Sequence, residues 1–411
     1  MLKLFKQNKM FRVLLGYQFF SGIGGAMFSM FILLSIHLIY DNPIFTGIAG
    51  FLMAAPRIAS FAVGPIVDRR NKVAIMRITT LLEFVVLGLL AFTPLINHLG
   101  VLFMFAVIFT YNLAALFENP AGTAYLPQIV AEDEIMPANS LINIVALTGG
   151  VIIAAVLFSS LAGEINFRFL YGFSAVFIAL AFLFSLFLKN TTSGAETATL
   201  NYLQDLKNGG TFIRKNVLLF IIIAMVAMSL GGEIAHINRP MFLEHHVGAQ
   251  NYVLFAVVGL VGGIAASALV GVLGDKFKIG MMVLVLFAIA GCVRFVFVFL
   301  VPVHLISALA TAAIYAAVGS AIGIVFNALI QKIPPKDMVG RVDTMATTFM
   351  AIAVTFGALF GGFLGSTVAE TGHIFIGQGI GYILIGVFLI FVPGVRRLDK
   401  MKEIGTENSG D

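Results

Sequence analysis

Gly64-Pro65-Ile66-Val67-Asp68-Arg69-Arg70-Asn71-Lys72 is a short charged knot set between two long apolar runs. Further along, Gly271-Val272-Leu273-Gly274-Asp275-Lys276-Phe277-Lys278 repeats it, with the same Gly-to-Asp spacing followed at once by a base. Two copies of one unusual loop point to an internal duplication. In each copy a helix must end, turn sharply and re-enter an apolar medium. One carboxylate and several bases at such a turn suit the boundary between lipid and water.

Composition agrees with that reading. Apolar residues make up 60% of the chain and charged residues 11%, and the mean hydropathy is +1.02, which excludes a soluble domain of this length. A helical span needs about 20 apolar residues to cross roughly 30 Å of hydrocarbon. Its backbone must be satisfied within the segment, and long apolar runs select helices over the alternating strands of a membrane barrel. Cys292 lies inside an apolar run with no second cysteine, so no internal disulfide forms. The formal charge of +5 does not indicate nucleic acid, because the bases cluster on one side of a membrane. Lys3, Lys6, Lys9 and Arg12 precede an apolar run too long for a signal core; the first span is expected to remain as an anchor.

Twelve spans are expected, at 12–37, 44–66, 75–96, 100–119, 141–163, 167–188, 217–239, 252–273, 280–301, 304–327, 345–366 and 374–394. With both termini on the cytoplasmic side, all but five of the 25 Lys and Arg fall in cytoplasmic segments. The five are Arg57, Arg77, Arg168, Arg239 and Arg294, in or at the ends of spans. The outer loops then hold none, as the positive-inside rule requires. A polar stretch at 189–216 separates an N-terminal bundle (1–188) from a C-terminal bundle (217–395), with a polar tail at 396–411.

The spacing Gly64-x-x-x-Asp68-Arg69 resembles the loop between the second and third helices of major facilitator superfamily transporters. Asn119-Pro120-Ala121 at the end of the fourth span, and the long loops before the fifth and eleventh spans, resemble the macrolide-efflux and enterobactin-exporter branch. This resemblance covers nearly the whole chain. It implies an all-α membrane protein with twelve transmembrane helices in two pseudo-symmetric six-helix bundles, and a site near the midplane between the repeats. The sequence departs from the family in places. Asn71 and Lys72 stand where a further glycine is usual, Tyr111 where many proton antiporters carry arginine, and Gly149-Gly150 where a Gly-Pro pair is common.

Ionisable groups inside spans are functional candidates by default, because burying them in lipid is costly. Arg57 and Glu83 each lie 13 residues from Arg70, so folding about that turn brings them to one depth, roughly 15 to 20 Å away at 1.5 Å per residue. Either a structural pin between neighbouring helices or a part in proton coupling accounts for such a pair. Glu118, near the end of the fourth span, is expected within reach of Arg69, Arg70 or Arg77. By resemblance, Gly64, Asp68, Arg69 and Glu118, with Asp275 and Lys276 in the second copy, form a latch whose charges pair in one conformation and separate in the other. Glu233 and His236 share one helix face at i and i+3, where proton binding, substrate binding and plain packing all remain open; a metal would need further ligands that the sequence does not offer.

The spans said by resemblance to line the cavity nominate Gln18, Tyr111, Asn112, Glu233, His236 and Tyr315. Six histidines, His37, His98, His245, His246, His304 and His373, fall at outer loops or outer helix ends. Gly357, Gly361 and Gly365 form a small-residue ladder suited to close packing. Neither a phosphate-binding loop nor a catalytic constellation is present, so no enzyme and no cofactor is expected. The resemblance implies a secondary transporter, monomeric, exporting an amphipathic drug or siderophore-like product in exchange for protons. The alternatives are uptake or facilitated diffusion of a polar metabolite and, less in keeping with the sequence, a membrane sensor.

Overall fold

Among the described residues the regular structure is entirely helical in the computed structural model of the chain. It describes residues 8–92, 98–131, 134–143, 166–190, 210–273, 277–335, 338–368 and 370–396, with 145, 152, 153, 156 and 398 besides. In chain order the helices are α1 (Lys9–Tyr40), α2 (Pro43–Ala54), α3 (Ser60–Asp68), α4 (Lys72–Phe92), α5 (His98–Tyr125), α6 (Ile135–Asn143) and α7 (Phe167–Leu186). There follow α8 (Leu218–Val247), α9 (Tyr252–Leu273), α10 (Ile279–Leu300), α11 (Leu305–Lys332), α12 (Val339–Thr367), α13 (Gly372–Ile390) and the short α14 (Pro393–Arg396). Ten of these are long and apolar enough to cross a membrane: α1, α4, α5 and α7 to α13. This is a multi-pass membrane protein. The fifth expected span falls mostly outside the described residues, as do most of the linker 189–216 and of the tail.

The helix ends follow from local sequence. Asn8 caps α1 by accepting from the Phe11 N–H at 3.0 Å, and its amide donates to the Ile129 carbonyl at 2.6 Å. Asp41, at φ 44°, takes the left-handed conformation that ends α1. Asn42 caps the next helix and Pro43 opens it, the arrangement in which proline's missing N–H is harmless. The second span is not one helix. A five-residue 3-10 segment, Ala55–Ala59, contains Pro56 and separates α2 from α3.

The chain divides into two compact units, Met1–Thr197 and Ala198–Asp411. Within the first, α1 packs on α7, α4 on both α5 and α7, and α2 on α5. Within the second, α8 packs on α13, α10 on both α11 and α13, and α9 on α11. Counted in spans, the pairings 1–6, 3–4, 3–6 and 2–4 recur as 7–12, 9–10, 9–12 and 8–10. The duplication read from the two charged loops is therefore a duplication of packing as well.

Packing inside each unit relies on close approach and buried hydrogen bonds, since lipid tails provide no hydrophobic drive between helices. Gly357 and Gly361 set α12 against α8 so closely that a Cβ there would meet the carbonyl oxygens of Leu230 and Ile234 at 2.9 and 3.0 Å. Asn238 on α8 donates across the same seam to the Gly361 carbonyl at 2.8 Å. In the first unit Ser174 donates to the Gly24 carbonyl at 2.7 Å, and Ser35 bonds Tyr171. Outward-facing positions are strongly apolar, with Phe92, Phe187, Phe299 and Phe363 all exposed.

Candidate functional site

The most concentrated buried polar chemistry of the first unit lies where α1, α4 and α5 meet. Glu118 on α5 is buried, and its Oε1 accepts from the Tyr17 hydroxyl at 2.5 Å and from the Ser21 hydroxyl at 2.9 Å. Tyr17, with no exposed surface, also shares a hydrogen bond of 2.8 Å with the Thr80 hydroxyl. Thr80 in turn donates to the Met76 carbonyl one turn back at 2.6 Å. Glu83, 1% exposed, lies one turn further along α4 and within electrostatic reach of Glu118. Its carboxyl oxygens are sealed from solvent and make no hydrogen bond of regular geometry; the group within bonding reach of them is Glu118. Tyr111 completes the group from α5, near enough to feel both acids, its ring 4.3 Å from that of Phe28.

Counting protons shows what this cluster can do. A hydroxyl has one proton to donate and two lone pairs to accept with. If Glu118 is ionised, Tyr17 donates to it and Thr80 donates to Tyr17. If Glu118 carries a proton, it donates to Tyr17, which donates to Thr80, which donates to the Met76 carbonyl. The Glu118, Tyr17 and Thr80 oxygens serve both states with the row of hydroxyls reversed, and only the protonated state also keeps the bond from Thr80 to the Met76 carbonyl. No Lys or Arg forms an ion pair with Glu83 or Glu118 among the described residues.

Two expected groupings are corrected here. Glu83 does not pair with Arg57: Arg57 is exposed in the 3-10 break, while α4 turns Glu83 toward α5. Arg57 thus presents its side chain to the outside of the unit at the 3-10 segment, while Glu83 is turned inward, and so the two charges part. Glu118 does not join Arg69 at a water boundary, because α5 runs on to Tyr125 and leaves Glu118 about 10 Å inside the helix end. Arg69 is exposed. Gly64 and Asp68 fall on α3, with their side-chain surroundings outside what is described; Asp275 and Lys276 lie outside the described residues.

Arg77, expected near Glu118, instead caps α7. Its guanidinium donates to the carbonyls of Ser185, Leu186 and Leu188 at 3.1, 3.2 and 2.9 Å, satisfying groups that a helix end leaves without partners.

The second unit holds a different set. Arg294 on α10, 3% exposed, lies with its guanidinium carbon 3.5 Å from the centroid of the Tyr315 ring on α11, a close cation–π stack. Gln378 on α13 donates to the hydroxyls of Tyr315 and Tyr382 at 3.1 and 2.7 Å, and those hydroxyls share a bond of 3.0 Å. Glu233 and His236 on α8 are half-buried. Glu233 stands within electrostatic reach of Arg239, and His236 of Arg239 and Arg294, so this acid, unlike Glu83, has a cation nearby. Glu233 also abuts α12, where a Cβ on Gly357 would come 3.1 Å from its own Cβ.

The remaining candidates are dispersed. Gln18 rests its amide nitrogen 2.7 Å from where a Cβ of Gly122 would stand. Asn112 donates to the Ile108 carbonyl of its own helix at 2.9 Å. Of the histidines, His37 is buried, His245 and His246 stack edge to face, and His373 stands 3.9 Å from Glu370. No group of three metal-ligating side chains occurs among the described residues.

Tyr17, Ser21, Thr80, Gln378 and Tyr382 were not legible as site residues beforehand. A hydroxyl inside an apolar run is common in membrane helices, and only the crossing of helices shows that these hydroxyls meet.

Residues 13–354 match the family model described as Major Facilitator Superfamily. The chain belongs to the major facilitator superfamily. Members of this family are transporters, not enzymes. An uncharacterized MFS-type transporter, YjbB of Bacillus subtilis (strain 168), is 28% identical over 144 residues, 34% of this chain and 35% of that protein's length. Among solved structures, the nucleoside transporter NupG is similar at a TM-score of 0.75 and 14% identity, covering 92% of this chain and 99% of that one. A D-xylose-proton symporter is similar at a TM-score of 0.69 and 15% identity, covering 94% and 98%. At such identities the likeness concerns the fold.

Proposed function

We propose that this transporter is a proton-coupled exporter of an amphipathic small molecule, placed in the cell membrane with both termini in the cytoplasm and working by alternating access. The observation that carries the coupling half of this reading is the Glu118–Tyr17–Thr80 row beside Glu83. Two carboxyl groups set together in a buried site, with no Lys or Arg paired to either among the described residues, are costly to ionise at once. A proton shared between them removes that cost, and the row of hydroxyls reorients to match. Binding and release of a proton then change the charge at the packing seam of α1, α4 and α5, which biases one conformation over another. Glu233, with a cation nearby, is better suited to hold a charge permanently, so the coupling role moves to the first unit. Asp68 and Arg69 keep their proposed part in a latch at the loop, without Glu118.

Export of an amphipathic guest is what the resemblance of the sequence to the efflux branch implies. Sealed liposomes with a trapped pH dye test the whole reading, using candidate macrolides, dyes and catecholate siderophores. Guest-triggered proton movement opposite in direction to the guest, lost in the Glu83→Gln, Glu118→Gln double variant and kept in Glu233→Gln, is the expected result. Movement of guest and proton in the same direction would replace export by uptake symport. Guest flux with no proton movement would overturn the coupling.

A further inference from the structure

Charge does not cancel inside the second unit. Arg239 stands eight residues before the end of α8 at Val247, about 12 Å along the axis. Arg294 stands six residues before the end of α10 at Leu300, about 9 Å along the axis. The two guanidinium groups lie within electrostatic reach of each other, and His236 lies within reach of both. No Asp or Glu forms an ion pair with either arginine among the described residues. Glu233 acts on Arg239 more weakly than Tyr252, Arg294 and Tyr315 do. Two positive charges therefore face one negative charge, and an excess charge held away from water is costly until a counter-charge arrives.

The two arginines differ in access. Arg294 is 3% exposed and stacks on the Tyr315 ring, whose hydroxyl is held by Gln378 and Tyr382. Arg239, His236 and Tyr315 are each only half-buried and keep part of their surface open. We propose that Arg239, supported by Arg294 behind the Tyr315 ring, binds the carboxylate of the transported guest, so that the guest is an amphipathic anion. The Arg239 guanidinium offers the planar fork of N–H donors that matches a carboxylate. Arg294 does not touch the guest; it fixes the tyrosine and adds its field, which is strong in a site shielded from water. One carboxylate brings the set to neutrality. A neutral or cationic guest of the same shape leaves the excess charge in place and binds less well. The site rests on the transport reading for the role of its occupant, while binding itself needs neither proton coupling nor a direction.

The chain contains no tryptophan, so an indole carboxylate reports its own binding by fluorescence. The test titrates the full chain, purified in a neutral maltoside detergent, with indole-3-butyrate and with indole-3-butyramide, which keeps the shape and loses the charge. The carboxylate is expected to bind roughly tenfold or more tighter than the amide. Arg239→Gln is expected to weaken the carboxylate roughly ten- to a hundredfold, the worth of a charge-assisted hydrogen bond, and to leave the amide unchanged. Arg239→Lys restores most of the charge-dependent part. Arg294→Lys keeps the preference for the carboxylate and Arg294→Gln lowers it, with thermal unfolding confirming that each variant is folded. Arg239 makes no hydrogen bond within the described residues, so its glutamine variant keeps the test open even where Arg294→Gln fails to fold. Carboxylate and amide binding alike or not at all, or carboxylate binding untouched by Arg239→Gln, would overturn the proposal. So would an anionic phospholipid that copurifies with the wild type and not with Arg239→Gln, which would give the site to lipid. Because the titration reads binding alone, its failure leaves the liposome result standing, and the reverse also holds.

Discussion

Replacing Glu118 by glutamine and by leucine separates its chemical role from its structural one. In Glu118→Gln the amide oxygen can still accept from Tyr17 and Ser21, so both hydrogen bonds of 2.5 and 2.9 Å persist. What is lost is the ability to take up a proton; against a protonated Glu118 both bonds are neutral before and after the change, at about 0.5–1.5 kcal/mol each. A destabilisation of about 1 kcal/mol or less relative to that state follows. In Glu118→Leu two hydroxyl donors, one of them fully buried, lose their acceptor. Tyr17 keeps Thr80 as a partner, and Ser21, being only part-buried, has other recourse, so the cost falls at about 2–4 kcal/mol. Reversible denaturation of purified protein in mixed micelles, together with proton flux in liposomes, reads both quantities. Loss of proton movement in both variants, with stability lost only in the leucine variant, is the expected pattern. A glutamine variant that still moves protons, or that unfolds as readily as the leucine variant, would refute the reasoning.

Other expectations follow from the packing. Arg77→Met removes three hydrogen bonds to the end of α7 and should lower stability by about 1–3 kcal/mol, seen as a lower melting temperature with transport of the folded fraction unchanged. Gly361→Ala pushes a methyl to 3.0 Å from the Ile234 carbonyl and should cost about 1–3 kcal/mol through separation of α8 from α12. Gly381→Ala, which enters open space, should be neutral or slightly stabilising, and thermal unfolding of the two side by side checks the contrast. Asn238→Leu should cost about 0.5–2 kcal/mol by deleting the bond to Gly361; a double variant with Gly361→Ala should show less than the sum, because both act on one seam.

The fold was legible in the sequence because its signals are long: apolar runs set span lengths, and two copies of one loop pointed to the repeat seen in the packing. The site was legible only in part, for a different reason. Glu83 and Glu118 stood out as acids in apolar runs, but their partners could not be read, because a partner depends on rotation about the helix axis. Arg57 is exposed at the 3-10 segment that interrupts the second span, and the turn and a half of helix beyond Pro120 carries Glu118 inward. Tyr17 and Thr80 gave no signal alone. Their meaning comes from a crossing between α1 and α4 that periodicity cannot place. Arg294 was visible as a charge in the ninth span, but its stack on Tyr315 was not.

The third and ninth spans occupy matching places in the repeated packing, yet one carries Glu83 and the other Arg294. Once such opposite charges had been fixed in the two copies, neither half could stand in for the other. One packing frame thus carries two unlike interiors, an acid set near a second acid in the first unit and a guanidinium stacked on a tyrosine in the second, so that exchanging the third span for the ninth would import a charge opposite in sign to the one the receiving unit is built around.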